Sequence, residues 1–343
     1  MEQKILPITE PLIKNYPQHA FYLSIISNKE ECLPWIFSNY TNIYLSNWKN
    51  EWVFMDYFVQ TPEHHFHPWF KDSQRLHRDL ILNTNIEFIS FLKQQINSEY
   101  YVWLHVDEYY IPQTYSYNKS SFSHAIFVYG YEDKTKTFKI MAFHEDGKYA
   151  KSEVEYLMLK QAFLHCEAYD SYLNYIHLLK INPEIHNGKT YGFDISIFFK
   201  DIKDYYESKN IMENYKNFYD ISLYDDRTFG LNIYIELKKH FIMHLDKKIN
   251  VDIRLLYTLY EHKKFMNMKL EYIQYNGYYN FNHQFIEGYR ELEKEVRILL
   301  NIYLKYKFTN NKVYIEKVIK KLESIHFTEK NLLSSLFKPT EAL

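Results

Sequence analysis

Runs of hydrophobic residues, separated by polar stretches between residues 100 and 149, predict three consecutive β-strands. Tyr100–Ile111 is rich in β-branched and aromatic residues, and it ends at Pro112 because proline cannot donate to a strand ladder. Ser123–Glu132 and Thr137–Phe143 have the same texture, and a short polar turn joins them. We therefore expect the last two strands to pair as a hairpin.

The rest of the N-terminal half is mostly helical in its periodicity. His19–Ser27, Cys32–Leu45 and Asn85–Asn97 predict helices because their apolar residues recur at helical spacing. Glu51–Gln60 predicts a strand, since it is aromatic and β-branched. Ser152–Ile181 predicts a long helix, with or without a break.

The chain changes character near residue 190. Gly188 and Gly192 mark a loop, and helical periods dominate beyond it. The helices predicted there are Ile195–Ser208, Gly230–Asp246, Asp252–Tyr275, Gln284–Tyr306 and Val313–Ile325. Their short polar connectors favour a helical bundle. We predict one domain over residues 1–190 and a helical C-terminal domain over residues 191–343.

The three central strands also carry a family resemblance. Asp107–Pro112 (DEYYIP) closes the first strand, His124 opens the second, and Tyr129–Glu132 (YGYE) ends it. This order resembles the N-terminal domain of butirosin biosynthesis protein H and its relatives, over residues 100–149 well and elsewhere loosely. The resemblance implies a papain-like cysteine-protease fold. We therefore expect an α+β protein, with a papain-like N-terminal domain containing an antiparallel sheet and an all-α helical C-terminal domain.

The resemblance implies an activity as well. Such a protein would move an acyl group from a carrier-protein thioester to an amine in nonribosomal-peptide-type secondary metabolism. Cys32 would be the nucleophile, because a helix start and a nearby imidazole lower a thiol pKa. His124 would be the base, oriented by an acid such as Asp107 or Glu145. The implied partners are an acyl or peptidyl carrier protein and a small amine acceptor.

Two alternatives remain open at this point. If His19–Ser27 is the family's first core helix, its nucleophile position holds His19 or Ala20, and Cys32 is only a small buried hydrophobe. The third strand also lacks the family's Asp. A chain that keeps the fold without catalysis would bind a carrier protein or a biosynthetic product. The side chains expected to line the cleft in either case are His19, Tyr109 and His144.

Composition narrows the class of protein further. The formal charge of −2 gives no sign of a nucleic-acid-binding surface. Cys32 and Cys166 are too few for a disulfide framework and fit a reducing compartment. The N-terminus has no apolar signal region, and no run reaches the roughly 20 apolar residues of a membrane span. We expect a cytoplasmic protein without a membrane or nucleic-acid partner.

One histidine cluster raises the question of a metal. His64, His65 and His67 lie on a proline-flanked loop. Catalytic zinc sites usually take their ligands from rigid elements, so a solvated loop is favoured over a zinc site. The chain has only 7 glycines and no glycine-rich phosphate loop. We therefore expect neither a metal nor another cofactor.

Overall fold

The computed structural model describes residues 2–48, 52–59, 68–167, 173–182, 191–217, 220–246 and 249–337. Its strands are β1 (Gln3–Ile5), β2 (Asn42–Trp48), β3 (Trp52–Phe58), β4 (Phe70–His77), β5 (Tyr101–Asp107), β6 (Ser123–Glu132), β7 (Thr137–Phe143), β8 (Tyr149–Glu155), β9 (Tyr175–Ile181) and β10 (Arg227–Phe229). Its α-helices are α1 (Pro17–Ile26), α2 (Leu33–Ser38), α3 (Asp79–Leu82), α4 (Phe88–Asn97), α5 (Tyr156–Leu164), α6 (Ile195–Tyr206), α7 (Asn232–Leu245), α8 (Arg254–Tyr275), α9 (His283–Thr309) and α10 (Val313–Phe337).

The chain divides into two compact units. The first comprises residues 1–32 and 63–190, and the second comprises residues 33–62 and 191–343. The division after residue 190 lies where the sequence places it. Segment 33–62 belongs to the second unit, whereas the sequence assigns it to the first domain. The reason is strand pairing, because β2 and β3 of this segment form a sheet with β10.

The first unit is built on an antiparallel sheet. Within the described residues the strand order is β4–β9–β5–β6–β7–β8, and β1 pairs with the end of β6. Asp107, His124 and Phe143 lie on β5, β6 and β7, which are neighbours in this sheet. The predicted succession of three paired strands is confirmed. The sheet establishes an antiparallel α+β unit, and the papain-like fold stays a prediction.

Two predicted helices differ from the structure. Ser152–Ile181 forms the end of β8, then α5 and then β9, because a short, mostly apolar segment fits a buried strand as well as a helix. Cys32–Leu45 forms only the short helix α2 before β2 begins. Tyr40 has a positive φ of 55°, a left-handed conformation that ends helices.

Helix α1 packs its aromatic side chains on the sheet of the first unit. The Phe21 ring stacks on Phe127 with centroids 5.1 Å apart and meets Trp103 edge-on at 5.5 Å. The Ser24 hydroxyl lies 3.1 Å from the Tyr149 hydroxyl. Trp103 and Phe127 face each other across β5 and β6, so one aromatic ring holds α1 to two strands at once.

The second unit combines the sheet β10–β2–β3 with α6 to α10. The predicted helical character after residue 191 is confirmed, since β10 is the one strand among the described residues there. An all-α second domain is not what forms, because β2 and β3 join it. Gly230 precedes α7 with a φ of +59° and packs closely on the backbone of α6.

A network of buried polar side chains runs through the core of the second unit. Lys263 Nζ donates to Glu329 Oε1 at 2.5 Å, to the Tyr205 hydroxyl at 3.0 Å and to His262 Nδ1 at 3.1 Å. His262 Nε2 in turn donates to the carbonyl oxygen of Thr41 at 2.8 Å. His262 must be neutral to accept from an ammonium group, and burial together with Lys263 holds its pKa well below the usual range.

This protonation state predicts a pH dependence of stability. The unfolded chain binds a proton on His262 near pH 6.5, whereas the folded chain binds it only at lower pH. The stability that the neutral His262 side chain contributes to the fold is therefore fully present above pH 6.5. It is lost as the pH falls below that value. In His262→Gln the side-chain amide can still donate to Thr41, but it does not titrate. Urea titrations should show a wild-type advantage that shrinks from pH 8 to pH 5. A constant difference would contradict this assignment.

Candidate functional site

The most distinctive polar contact of the first unit joins His124 to Glu108. The 3-10 turn Glu108–Tyr110 begins directly after β5, and the Glu108 amide donates to the Phe122 carbonyl oxygen at 2.9 Å. This bond brings the two ends of the intervening loop together beside the start of β6. His124 Nδ1 then lies 2.6 Å from Glu108 Oε1.

The dyad combines a buried acid with a partly exposed base. The Glu108 side chain is 4% exposed and the His124 side chain 27%. A carboxylate buried this deeply needs a donor, so it fixes the ring with Nδ1–H pointing toward it. Among the described residues no partner occupies Nε2. His124 is therefore an oriented imidazole that can accept a proton at Nε2.

Asp107, predicted as a catalytic acid, supports the loop instead. Its carboxylate accepts from the Tyr109 amide at 2.9 Å, the Phe122 amide at 3.0 Å and the Ser121 hydroxyl at 2.8 Å. These bonds anchor both ends of the loop that carries Glu108. Asp107 thus holds the loop in place, and Glu108 is the acid that touches His124. The sequence analysis missed this role of Glu108.

The turn after β7 supplies no partner to His124 within the described residues. Glu145 is exposed and pairs with Lys119 at 2.5 Å. His144 closes the turn through its amide, which donates to the Lys148 carbonyl oxygen at 2.8 Å. Neither residue is bonded to the His124 ring. The predicted roles of Glu145 as a catalytic acid and of His144 in the cleft lining stay predictions.

Cys32 has the surroundings of a core thiol. It ends the 3-10 turn Glu30–Cys32, and its amide donates to the Lys29 carbonyl oxygen at 2.9 Å. Burial first, and then the charge of Glu31, raise the pKa of the thiol to about 12. A thiol of this kind stays protonated at neutral pH, the opposite of what nucleophilic catalysis needs. No hydrogen bond joins it to His124, both residues being described.

The start of α1 offers no thiol either. Pro17 opens this helix, and His19 and Ala20 are buried in its first turns. Cys166, the second cysteine, lies beyond α5, and its thiol contacts the Ser123 hydroxyl at 3.5 Å. Ser123 precedes His124 in β6, and the Cys166 thiol contacts the serine hydroxyl and not the imidazole.

Exposed aromatic side chains lie beside His124 and on the loop that precedes it. Phe122 is 52% exposed, and its ring centroid lies 5.5 Å from that of His124. Tyr109, predicted to line the cleft, is also exposed, and Tyr115 carries the Lys119 ammonium 5.1 Å from its ring centroid. Exposed rings beside an oriented base form an apolar surface on which a ligand can pack. The many aromatic residues of this loop are the sequence feature that could have indicated Phe122 and Tyr115 as ligand contacts.

The described residues contain no group of three or more His, Cys, Asp or Glu side chains that could hold a metal ion. His64, His65 and His67 lie outside the described residues, so the structure does not bear on their role. In the same described ranges, no helix combines the length and apolarity that crossing a membrane requires.

No protein-family model matches the chain, and no curated protein matches its sequence. The site must therefore be interpreted from its own geometry.

Proposed function

We propose that the chain is an acyltransferase that forms an amide bond from a thioester, with His124 as the general base. The observation that carries this proposal is the 2.6 Å contact between His124 Nδ1 and the buried Glu108 carboxylate. The resemblance of residues 100–149 supports the substrate classes. They are an acyl or peptidyl carrier-protein thioester of secondary metabolism as donor and a small amine as acceptor.

In the proposed reaction His124 acts directly on the acceptor. The amine nitrogen attacks the thioester carbonyl carbon, and His124 Nε2 takes a proton from that nitrogen. The tetrahedral intermediate collapses, the carbon–sulfur bond breaks, and the departing thiolate takes the proton back from the imidazolium. An amide and a free thiol result, and His124 returns to its neutral form. Glu108 stabilises the transient imidazolium.

This route differs from the papain-like one in its use of Cys32. An acyl-enzyme would need the thiolate, and burial raises the pKa of Cys32 to about 12. Direct transfer requires only an oriented base and a surface that holds both substrates together. The exposed rings of Tyr109 and Phe122 could form part of such a surface, in contact with either the acyl donor or the amine acceptor.

A non-catalytic relative that binds a carrier protein or a biosynthetic product is the second candidate. The protonated Cys32 thiol favours it, because the residue that the resemblance assigns to chemistry is not activated. The same exposed aromatic side chains would then hold a ligand without converting it. Turnover separates the two candidates.

The test is a direct acyl-transfer assay. N-acetylcysteamine thioesters replace the carrier-protein donor, and hydroxylamine replaces the amine, so that the product is a hydroxamate measurable by mass spectrometry. His124→Ala should lower kcat at least about a hundredfold, because the base is lost. Glu108→Gln should lower it about tenfold or more with little change in KM, because the ring loses its charged support.

Two controls make the result specific. His165→Ala removes an imidazole that lies tilted against the Tyr110 ring with centroids 5.1 Å apart, and it should keep wild-type activity within about twofold. Cys32→Ala should also keep activity. Loss of activity in this variant would favour the acyl-enzyme route through Cys32. If the wild-type protein forms no hydroxamate from acetyl, hexanoyl or benzoyl thioesters, the acyltransferase proposal is wrong and the binding function is favoured.

A further inference from the structure

The second unit contains a small polar pocket that the proposed acyl transfer does not use. It lies where α6 meets the start of β2 and the 3-10 turn Ile211–Tyr215. Its volume of about 30 Å³ suits a group of one or two water-sized atoms. Its lining includes the charged side chains of Lys200 and Asp201 and the polar side chains of Asn39, Thr41, Asn42 and Asn214.

Asp201 is the anionic group of this pocket. It is only 9% exposed, and no described residue donates a hydrogen bond or forms an ion pair with its carboxylate. Burial raises its pKa to about 6, although Lys269 and Lys200 act against this shift. A buried carboxylate can only accept hydrogen bonds, and it is costly to charge without a donor. The pocket therefore presents an acceptor whose partner is missing from the described residues.

The two nearby lysines are engaged elsewhere. Lys269 is fully buried, and its Nζ donates to the Asn39 carbonyl oxygen at 2.9 Å and to Thr41 Oγ1 at 2.6 Å. Burial lowers the pKa of Lys269 to about 7, so at neutral pH it carries only part of a charge. Lys200 Nζ is turned to Asp204 Oδ2 at 2.9 Å. Neither lysine forms an ion pair with Asp201.

We propose that this pocket binds the primary ammonium group of a small amine, with the Asp201 carboxylate as its counter-ion. An ammonium group brings one positive charge and three donors, which suits an acceptor-only carboxylate. It is also small enough for the pocket. The side-chain amide of Asn42 donates to the Asp201 carbonyl oxygen at 3.4 Å, so its own oxygen is an additional acceptor. This site lies within the second unit and does not depend on the proposed acyl transfer.

The wild-type protein gives the first test. Methylammonium chloride should raise the melting temperature saturably, compared with sodium chloride at equal ionic strength. Tetramethylammonium chloride has the same charge, but it has no N–H donor and is too large for the pocket. It should behave like sodium chloride. Equal responses to the two ammonium ions, or no response to methylammonium, would overturn the proposal.

Variants of the two buried groups give the second test, with affinity read from isothermal titration calorimetry with methylammonium. Asp201→Asn is isosteric and should weaken binding at least about tenfold. Lys269→Met removes a buried cation whose positive charge acts on Asp201, and it should tighten binding. Lys294→Met, at an exposed ion pair with Glu291, should leave the affinity unchanged. Wild-type affinity in Asp201→Asn, or weaker binding by folded Lys269→Met, would contradict the site. If Lys269→Met does not fold, the ligand series and Asp201→Asn decide.

Discussion

Glu329→Ala is expected to lower the free energy of unfolding by about 3–5 kcal/mol, the cost of leaving a buried charge without its partner. Neither Lys263 nor Glu329 exposes any side-chain surface, and 2.5 Å separates Nζ from Oε1. Tyr234 donates to the other carboxylate oxygen at 2.6 Å. The substitution strands an ammonium and a hydroxyl in the helical core. Urea denaturation followed by circular dichroism at 222 nm measures the loss.

A surface pair provides the matched control for this prediction. Glu291 pairs with Lys294 at 2.6 Å, but both side chains are more than half exposed. Glu291→Ala should therefore change the free energy of unfolding by no more than about 0.5 kcal/mol. The double variant Lys263→Met/Glu329→Leu removes both charges and should be more stable than Glu329→Ala alone. A cost below about 1 kcal/mol for Glu329→Ala would show that the charge finds another partner.

The central strands could be predicted because their signals are local. Runs of β-branched and aromatic residues and a short polar turn place β5, β6 and β7 within one stretch of chain, although β5 ends at Asp107 and not at Pro112. The same reasoning fails for β9, whose residues Tyr175–Ile181 form a mostly apolar run without a turn residue. Such a run fits a buried strand or a helix, and only its pairing with β4 and β5 decides between them.

The sequence indicates His124 of the candidate site but not its partner Glu108. The strand pattern indicates His124, whereas alternation favours Asp107 over Glu108 as the residue facing a cleft. Alternation stops at Asp107, because the 3-10 turn begins there and the Asp107 carboxylate caps it. An acidic residue before a turn commonly bonds the amide two residues on. That rule would have assigned Asp107 to the loop and left Glu108 for His124.

The second unit depends on contacts between residues that are distant in sequence. Lys263 and Glu329 lie on α8 and α10 and look like ordinary charged helix positions when each helix is considered alone. Their burial follows only from how these helices pack with α9 between them in the chain. Segment 33–62 joins this unit for a similar reason, because Ser46 of β2 pairs in register with Arg227 of β10.

Gly230→Ala is expected to lower the free energy of unfolding by at least about 3 kcal/mol, through strain and overlap together. Gly230 has a φ of +59°, a conformation that side chains disfavour. A Cβ atom there would overlap the Tyr205 carbonyl oxygen and lie 2.9 Å from Ser208 Cα. Both are backbone atoms, one in the last turn of α6 and one just beyond it, so no rotamer change can relieve the contact. The Leu231 amide also donates to the same carbonyl at 3.1 Å and would be displaced.

Gly277→Ala separates backbone strain from overlap. Gly277 has a φ of +70°, but no atom lies within 4 Å of the position that a Cβ would take. Its substitution should therefore cost only the left-handed conformation, about 1 kcal/mol. Urea denaturation of the two variants under identical conditions gives the comparison. Equal costs would mean that the end of α6 yields to the methyl group, and that the close packing of Gly230 on Tyr205 does not hold α6 against the start of α7.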